Sequence, residues 1–481
     1  MTSPARHLPL LIAIPYVAFV LGYLQSSAPH LVDQDSLYHA RFAQMMPTQG
    51  FSRSFPWAQE SVWKDRFADK EILFHAWLAP FCRESHTTGG AKVAAWILAL
   101  AIVYAFGIIL TANGIRWPWL WTALIPALGN HFLFRLQEVR PHLLSILLLL
   151  LGLHALLQSR WRLLAILGFI YSWSYAAPHL LVVFAAIHAV ALKAAGERWE
   201  WRGLAASAGG VLAGLVINPY VPNDLSQWWI INVRIMIEAW SSGGPVRLGE
   251  EFQPVSTRSL LLSSTLVGIS FIGAFLMAAH APASISRRSK ILLAWAVGGF
   301  AMYCMSAKFI EYFAPLALLA VASVASERWE KSMPSFATMA VAGVAAVVLT
   351  VMSVRDARGE LMRLPTPDLA GAAAWTKKNV PAGETIVHLE WGDFNQLYYY
   401  DPTHYYLVGL DPMFMYVRHP KGLQLLEDLR SGRKALDVEE LYHAFNARYL
   451  VVRTRLRVVP EQVGLRPVYE DRGGAVYALI P

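Results

Sequence analysis

The chain has 481 residues, 56% of them hydrophobic and 15% charged. Soluble domains are about one-quarter charged, so an ordinary water-soluble protein is excluded. The formal net charge of +8 does not mark a nucleic-acid binder, because the basic residues are dispersed among hydrophobic runs rather than gathered on one domain.

The opening run, "MTSPARHLPLLIAIPYVAFVLGYL", lacks a convincing small-residue cleavage site and reads as a retained first span. A spanning helix needs roughly 17–25 mostly apolar residues. Clear runs of that kind lie at 8–24, 91–112, 141–158, 203–219, 259–279 and 335–353. Shorter or interrupted runs lie at 118–130, 163–177, 179–195, 291–306 and 312–325. The expected fold is therefore an all-α polytopic membrane protein with about eleven spans. With the N-terminus in the cytoplasm, the inner loops hold Arg116, then Arg160 and Arg162, then Lys193, Arg198 and Arg202. Arg287, Arg288, Lys290, Arg328 and Lys331 fall on the same side, as the positive-inside rule requires. The 18 tryptophans and 19 tyrosines suit two membrane–water interfaces. Cys82 and Cys304 lie far apart without metal-ligand spacing, so neither a disulfide framework nor a zinc site is indicated.

Three polar stretches then face outward. They are a first loop at 25–90, a middle loop at 218–258 and a C-terminal domain at 355–481, set against a transmembrane domain at 1–354. The first loop opens with "DQDSLYHARFA". Residues 36–46 can form a helix, and Asp35 can serve as its N-cap. Alternatively, helical spacing puts Asp35 and His39 on one side, with Asp33 approaching from the preceding turn. Two carboxylates and an imidazole can hold a divalent cation or act as a general base. Farther along, "DRFADKEILFH" places Asp69 and Glu71 two residues apart, and Glu71 and His75 one helical turn apart. A solvated amphipathic helix accounts for Asp65 and Arg66, whereas Glu71 opens an apolar run where a carboxylate needs a partner. "ILFHAWLAPF" at 72–81 is too short to span, and lies along the interface or leads into the second span.

Later charges cluster at the outer ends of spans: Arg135, Glu138 and Arg140 in "FRLQEVRPH", and Lys308 and Glu311 in "SAKFIEYFAP". Snorkelling explains each one singly. Together, on the side that the positive-inside rule depletes, they suit an anionic ligand such as a phosphate. The middle loop carries Trp228, Trp229 and Trp240 with Gly243 and Gly244, and reads either as an interfacial segment with a turn or as a lid. The C-terminal part alternates strand-like runs, "ETIVHLE", "HYYLVGL", "ARYLVVRT" and "GGAVYALI", with helical patterns, which predicts a small α/β domain. Within it, "HLEWGDFNQLYYYDPTHYYLVGLDP" brings Trp391 and Asp393 beside Tyr398, Tyr399 and Tyr400. That is either core packing or a carbohydrate or peptide surface.

These elements together resemble the GT-C superfamily of membrane glycosyltransferases, which includes oligosaccharyltransferase, the protein O-mannosyltransferases and the lipid A aminoarabinose transferases. "DQDSLYHAR" is similar to the acidic first-loop motif of that superfamily, with Asp35, Tyr38, His39 and Arg41 at the matching positions. "EWGDF" is similar in place to the tryptophan–aspartate motif of oligosaccharyltransferase, although Glu390 replaces a tryptophan and Gly392 follows Trp391. The resemblance implies inverting transfer of a sugar from a polyprenyl-phosphate donor to a periplasmic glycan, lipid or protein, by an enzyme of the inner membrane. It implies catalytic roles for Asp35, Asp33 and Glu71, with Asp33 and Asp35 as ligands of a divalent cation, magnesium or manganese. It implies substrate binding by His39, Arg41, Asp69, His75, Arg135, Arg140, Lys308, Glu311, Trp391 and Asp393. Two other classes stay open. A lipid-linked glycan flippase would need charges at mid-membrane, and a non-catalytic assembly subunit would use the loop acids only as helix caps.

Overall fold

A computed structural model describes residues 10–83, 86–240, 254–258, 260, 264–280, 285–331, 333–364, 367–454 and 464–480. The chain divides into two compact units. The first comprises Met1–Val32, Lys92–Ile217 and Glu250–Leu364; the second comprises Asp33–Ala91, Asn218–Gly249 and Pro365–Pro481.

The first unit is helical. Among the described residues, three helices are long and apolar enough to cross a membrane: Thr87–Ala112, Ala307–Glu330 and Phe336–Met362. At 1.5 Å per residue, each exceeds the ~30 Å hydrocarbon core. They differ in surroundings. Ala307–Glu330 is buried along most of its apolar length, whereas none of the apolar window of Phe336–Met362 is. Val341, Val344, Val347 and Val351 stand exposed on that last helix, as suits a helix surrounded by acyl chains, with its backbone bonds satisfied internally. Six shorter apolar helices accompany them, among them His142–Leu157, Trp161–Ser172 and Trp201–Val216.

The expected span at 118–130 is not one helix. It breaks into Pro118–Ala123, a 3₁₀ turn at Ile125–Ala127 and the start of Asn130–Arg135. Pro126 and the left-handed φ of Gly129 (114°) interrupt the ladder. Residues 1–9, much of 241–263 (with Gly243 and Gly244) and the side chains of Trp240 and Lys331 lie outside the description.

Helices Trp161–Ser172 and Trp201–Val216 approach through glycines. A Cβ on Gly210 would lie 2.1 Å from the carbonyl oxygen of Ala165, and one on Gly214 would lie 2.7 Å from that of Phe169. Close backbone approach is how helices associate where hydrophobic burial gives no drive. Ser172 Oγ adds a bond across the pair to the carbonyl of Val211 (3.0 Å).

The second unit contains a five-stranded sheet in the order β2-β1-β3-β5-β4. Its strands are β1 (Thr385–His388), β2 (Tyr405–Tyr406), β3 (Tyr449–Arg453), β4 (Leu465–Glu470) and β5 (Gly474–Leu479). β1 runs parallel to β2 and β3, and β5 runs antiparallel to β3 and β4. The strand expected over "HYYLVGL" shrinks to two residues, and β4 was not foreseen because Pro467 interrupts its pattern. Proline is tolerated there because β4 is an edge strand. Tyr398–Tyr400 end a helix, Asp393–Tyr400.

The first polar loop belongs to this sheet's unit. Tyr406 donates to the carbonyl of Trp57 (2.9 Å), and Gln59 and Glu60 donate to the carbonyls of Tyr406 and Leu407 (both 2.8 Å). The segment thus covers the β2 edge, which an open sheet must protect. Its rings fill the core: Phe55 lies 5.6 Å from Trp63 and 5.5 Å from Tyr398, and Trp63 lies 4.9 Å from Phe414. The run at 72–81 forms a helix, Ile72–Leu78, whose Ile72, Phe74 and Leu78 are buried, so it packs inside the unit.

A buried histidine anchors the sheet's return loop. His404 Nδ1 donates to Asp401 Oδ2 (2.7 Å), and its Nε2 donates to the carbonyls of Val380 and Pro381 (3.2 and 3.0 Å). Burial alone would depress the imidazole, but its bond to the Asp401 carboxylate raises it on balance. Burial alone would likewise raise Asp401, but bonds from His404, Thr403 and Thr376 pull it below the ordinary value. The His404 contribution is therefore complete below about pH 6.5 and fades as pH rises through its raised value. The Asp401 contribution is present above about pH 3.9 and fades as pH falls through its lowered value. His404→Gln should cost about 3–5 kcal/mol near pH 6, read as a lower thermal midpoint, with a gap that narrows toward alkaline pH. A gap constant with pH would contradict the charged pairing.

Candidate functional site

The site is built on the helix Gln34–Gln49. Asp33 is its N-cap, accepting from the backbone N–H of Ser36 (3.0 Å) and from the Ser36 hydroxyl. The capping role weighed for Asp35 thus falls to Asp33, because the helix begins two residues earlier than expected. Asp35 then sits in the first turn, partly exposed, at the positive end of the helix. Its Oδ1 accepts from Nδ2 of Asn395 (2.9 Å) on the helix Asp393–Tyr400. Asn395 is fully buried, and its own Oδ1 has no hydrogen-bond partner among the described residues.

Two further contacts lock these helices together. Arg41 donates through Nε (2.8 Å) and Nη2 to the carbonyl of Tyr399 and stacks over the Tyr399 ring at 5.4 Å. A guanidinium there satisfies a carbonyl at the helix C-terminus. At the other end, the Gln34 amide donates to the carbonyl of Gly392 (2.6 Å) and accepts from Arg453 Nη2 (3.2 Å). Arg453 Nε also donates to Asp393 Oδ1 (2.5 Å). Asp393 is therefore a buried ion-pair partner, whereas Trp391, in the preceding turn, is partly exposed.

One turn along the Gln34–Gln49 helix from Asp35, His39 opens a chain of three buried groups. His39 Nδ1 lies 2.9 Å from His75 Nε2, and His75 Nδ1 lies 2.9 Å from both oxygens of Asp69. Asp69 Oδ1 also accepts from the backbone N–H of Glu71 (2.9 Å). The Glu71 carboxyl is pushed up by burial, against the pull of Lys70 at 3.6 Å.

In the first unit, Arg135 donates through Nε (2.9 Å) and Nη2 (2.6 Å) to Glu311 and through Nη1 to Glu138 (2.6 Å). His142 Nε2 bonds the carbonyl of Arg135 (2.9 Å). One guanidinium here serves two buried carboxylates. Arg140, in the turn before the His142–Leu157 helix, and Lys308, with Nζ 5.6 Å from the Phe309 ring, are partly exposed.

Sequence reasoning passed over Asn395, Gln34 and Arg453. Their roles come from pairing with segments some 360 residues or more away, and no local spacing encodes that. A divalent cation fits the described residues poorly. None of their His, Cys, Asp and Glu side chains form a group of three arranged to hold a metal, and Asp33 is committed to its cap.

Replacing Arg453 by leucine takes the guanidinium from the buried Asp393 carboxylate, and should lower unfolding stability by about 3–5 kcal/mol. Pairing it with Asp393→Leu should recover much of that loss, because two apolar groups replace a desolvated pair. Denaturant unfolding of the three variants checks this; a double variant no better than Arg453→Leu would refute it.

No family model matches the chain, and none of the curated proteins compared with it does. Solved structures do. The apo oligosaccharyltransferase of Archaeoglobus fulgidus is similar at a TM-score of 0.68 and 12% identity, over 98% of this chain and 74% of that one. The same enzyme tethered to an acceptor peptide containing the NVT sequon is similar at 0.64 and 12%, over 99% and 74%. ArnT of Cupriavidus metallidurans bound to undecaprenyl phosphate is similar at 0.61 and 14%, over 98% of both chains. The chain has the fold of the GT-C membrane glycosyltransferases, to which its sequence motifs bear a resemblance.

Proposed function

We propose that the protein is a membrane glycosyltransferase that moves a sugar from a polyprenyl-phosphate donor to an extracytoplasmic glycan, lipid or protein. The observation that carries the reading is the Asp35 carboxylate, held by buried Asn395 at the start of the capped helix, in a chain of GT-C fold. Support for the donor class comes from ArnT, which is similar over almost its whole length and binds undecaprenyl phosphate. The archaeal oligosaccharyltransferase, with its acceptor peptide, supports a protein acceptor.

In this reading the membrane part has about eleven spans, the N-terminus is cytoplasmic and the domain at 355–481 lies outside the inner membrane. Asp35 takes the proton of the acceptor hydroxyl or amide, which is general-base work suited to a positioned carboxylate. The unpartnered Asn395 oxygen receives a second acceptor hydrogen, and Trp391 offers a stacking surface. The acceptor's electron pair forms the new bond at the anomeric carbon as the phosphate departs with the old one.

Purified full-length protein given synthetic polyprenyl-phosphate sugars tests the proposal. Asp35→Asn should lower kcat by about 10²–10⁴. Undiminished turnover in Asp35→Asn would remove the base. Movement of the lipid-linked sugar across proteoliposomes without any covalent product would replace the enzyme by a flippase.

A further inference from the structure

Two imidazoles in direct contact must share a proton: at 2.9 Å, one ring nitrogen donates and the other accepts. In the second unit that pair ends on a carboxylate. Asp69 is 2% exposed, His75 fully buried and His39 5% exposed. Both Asp69 oxygens face His75 Nδ1, so that nitrogen carries the hydrogen. His75 Nε2 then accepts from His39 Nδ1, and the outer His39 nitrogen, Nε2, is left with a lone pair. His39 stands one helical turn from Asp35 on the same helix.

Resting on the glycosyltransferase reading, we propose that Asp69, His75 and His39 form a proton relay that drains the catalytic carboxylate. After the acceptor O–H or N–H bond breaks and an Asp35 O–H bond forms, that proton passes to His39 Nε2, directly or across one water. The His39 Nδ1 proton moves to His75 Nε2. The charge comes to rest as a His75 imidazolium against the Asp69 carboxylate, and Asp35 is again ionised.

The surroundings suit storage of one positive charge. The aromatic walls are Phe42, at 4.6 Å from the His75 ring, and Phe74, at 5.4 Å from that of His39. The titratable neighbours are Tyr38, whose ring lies 5.2 Å from His39 and 6.0 Å from His75, and Glu71, Lys70 and Tyr220. Burial holds the Tyr38 and Tyr220 hydroxyls up, with the Asp69 charge adding to it, so both stay neutral. A carboxylate this enclosed is costly unless a cation pairs with it, and His75 is the group in bonding reach. Asp69 and His75 are thus positioning residues for the step at Asp35.

The test uses the full-length protein in detergent, with hydrolysis of a synthetic polyprenyl-phosphate sugar to water as the assay. Asp69→Asn should lower kcat by about 10²-fold with KM for the donor unchanged. It should also move the acid limb of the pH–rate profile to lower pH, because an imidazolium without its carboxylate is a stronger acid. His75→Gln should lower kcat similarly and shift the same limb. Folded variants that keep the wild-type profile would overturn the relay and leave the enzymatic reading standing. If the wild type turns over no such donor, that reading fails instead, and nitrogen NMR of histidine-labelled protein decides the relay. A proton shared between His39 and His75 that is lost in Asp69→Asn supports it; two independent imidazoles in the wild type refute it.

Discussion

The second unit depends on the clasp between the helices Gln34–Gln49 and Asp393–Tyr400. Arg41 caps the end of one helix from the side of the other, Gln34 and Arg453 close the opposite end, and the bond from Asn395 to Asp35 lies between them. Each contact joins a residue near the beginning of the chain to one far along it. Hydrogen bonds of this kind are worth about 1 kcal/mol net apiece, but more where a charge is involved and a buried partner would be stranded. Removing the clasp would strand Asn395 and the Asp393–Arg453 pair together. That gives the polar groups here one arrangement instead of several.

Both units manage buried charge by the same rule, one guanidinium beside two carboxylates. In the second, Arg453 meets Asp393 closely, with Asp368 at 3.6 Å. In the first, Arg135 serves Glu138 and Glu311 at once. A guanidinium suits such duty because its five N–H groups are held in a rigid fork. The consequence for reading function is negative but useful. An arginine at the right depth is not thereby a phosphate ligand, since its donors can already be committed.

Much of the fold was legible, and the reasons differ by element. Hydrophobic length marks the runs within Thr87–Ala112 and Phe336–Met362 because a bilayer sets one dimension for a spanning helix, whereas Ala307–Glu330 showed only the shorter run at 312–325. The sheet was legible from β-branched and aromatic runs, except at β4, where Pro467 hides an edge strand. The place of the first polar loop was not legible. Phe55, Trp57 and Trp63 read as an ordinary outer-loop segment, yet they complete a core whose other half lies beyond residue 390. For the candidate site, the residue types in "DQDSLYHAR" singled out the segment that forms the helix Gln34–Gln49. Which acid caps it depended on where the helix begins, and spacing alone misplaced that by two residues. The chain from His39 through His75 to Asp69 crosses two helices and a turn, so no single periodicity could reveal it.

The seam between the first polar loop and β2 also imposes an order on biosynthesis. Residues 57–60 leave the ribosome more than 300 positions ahead of Tyr406 and Leu407, which their backbone bonds. Throughout that interval Phe55 and Trp63 have each other and Phe67 to pack against, but lack Tyr398 and Phe414, until the last quarter of the polypeptide arrives. A message truncated before that point would yield a first polar loop without the strand β2 that its backbone bonds.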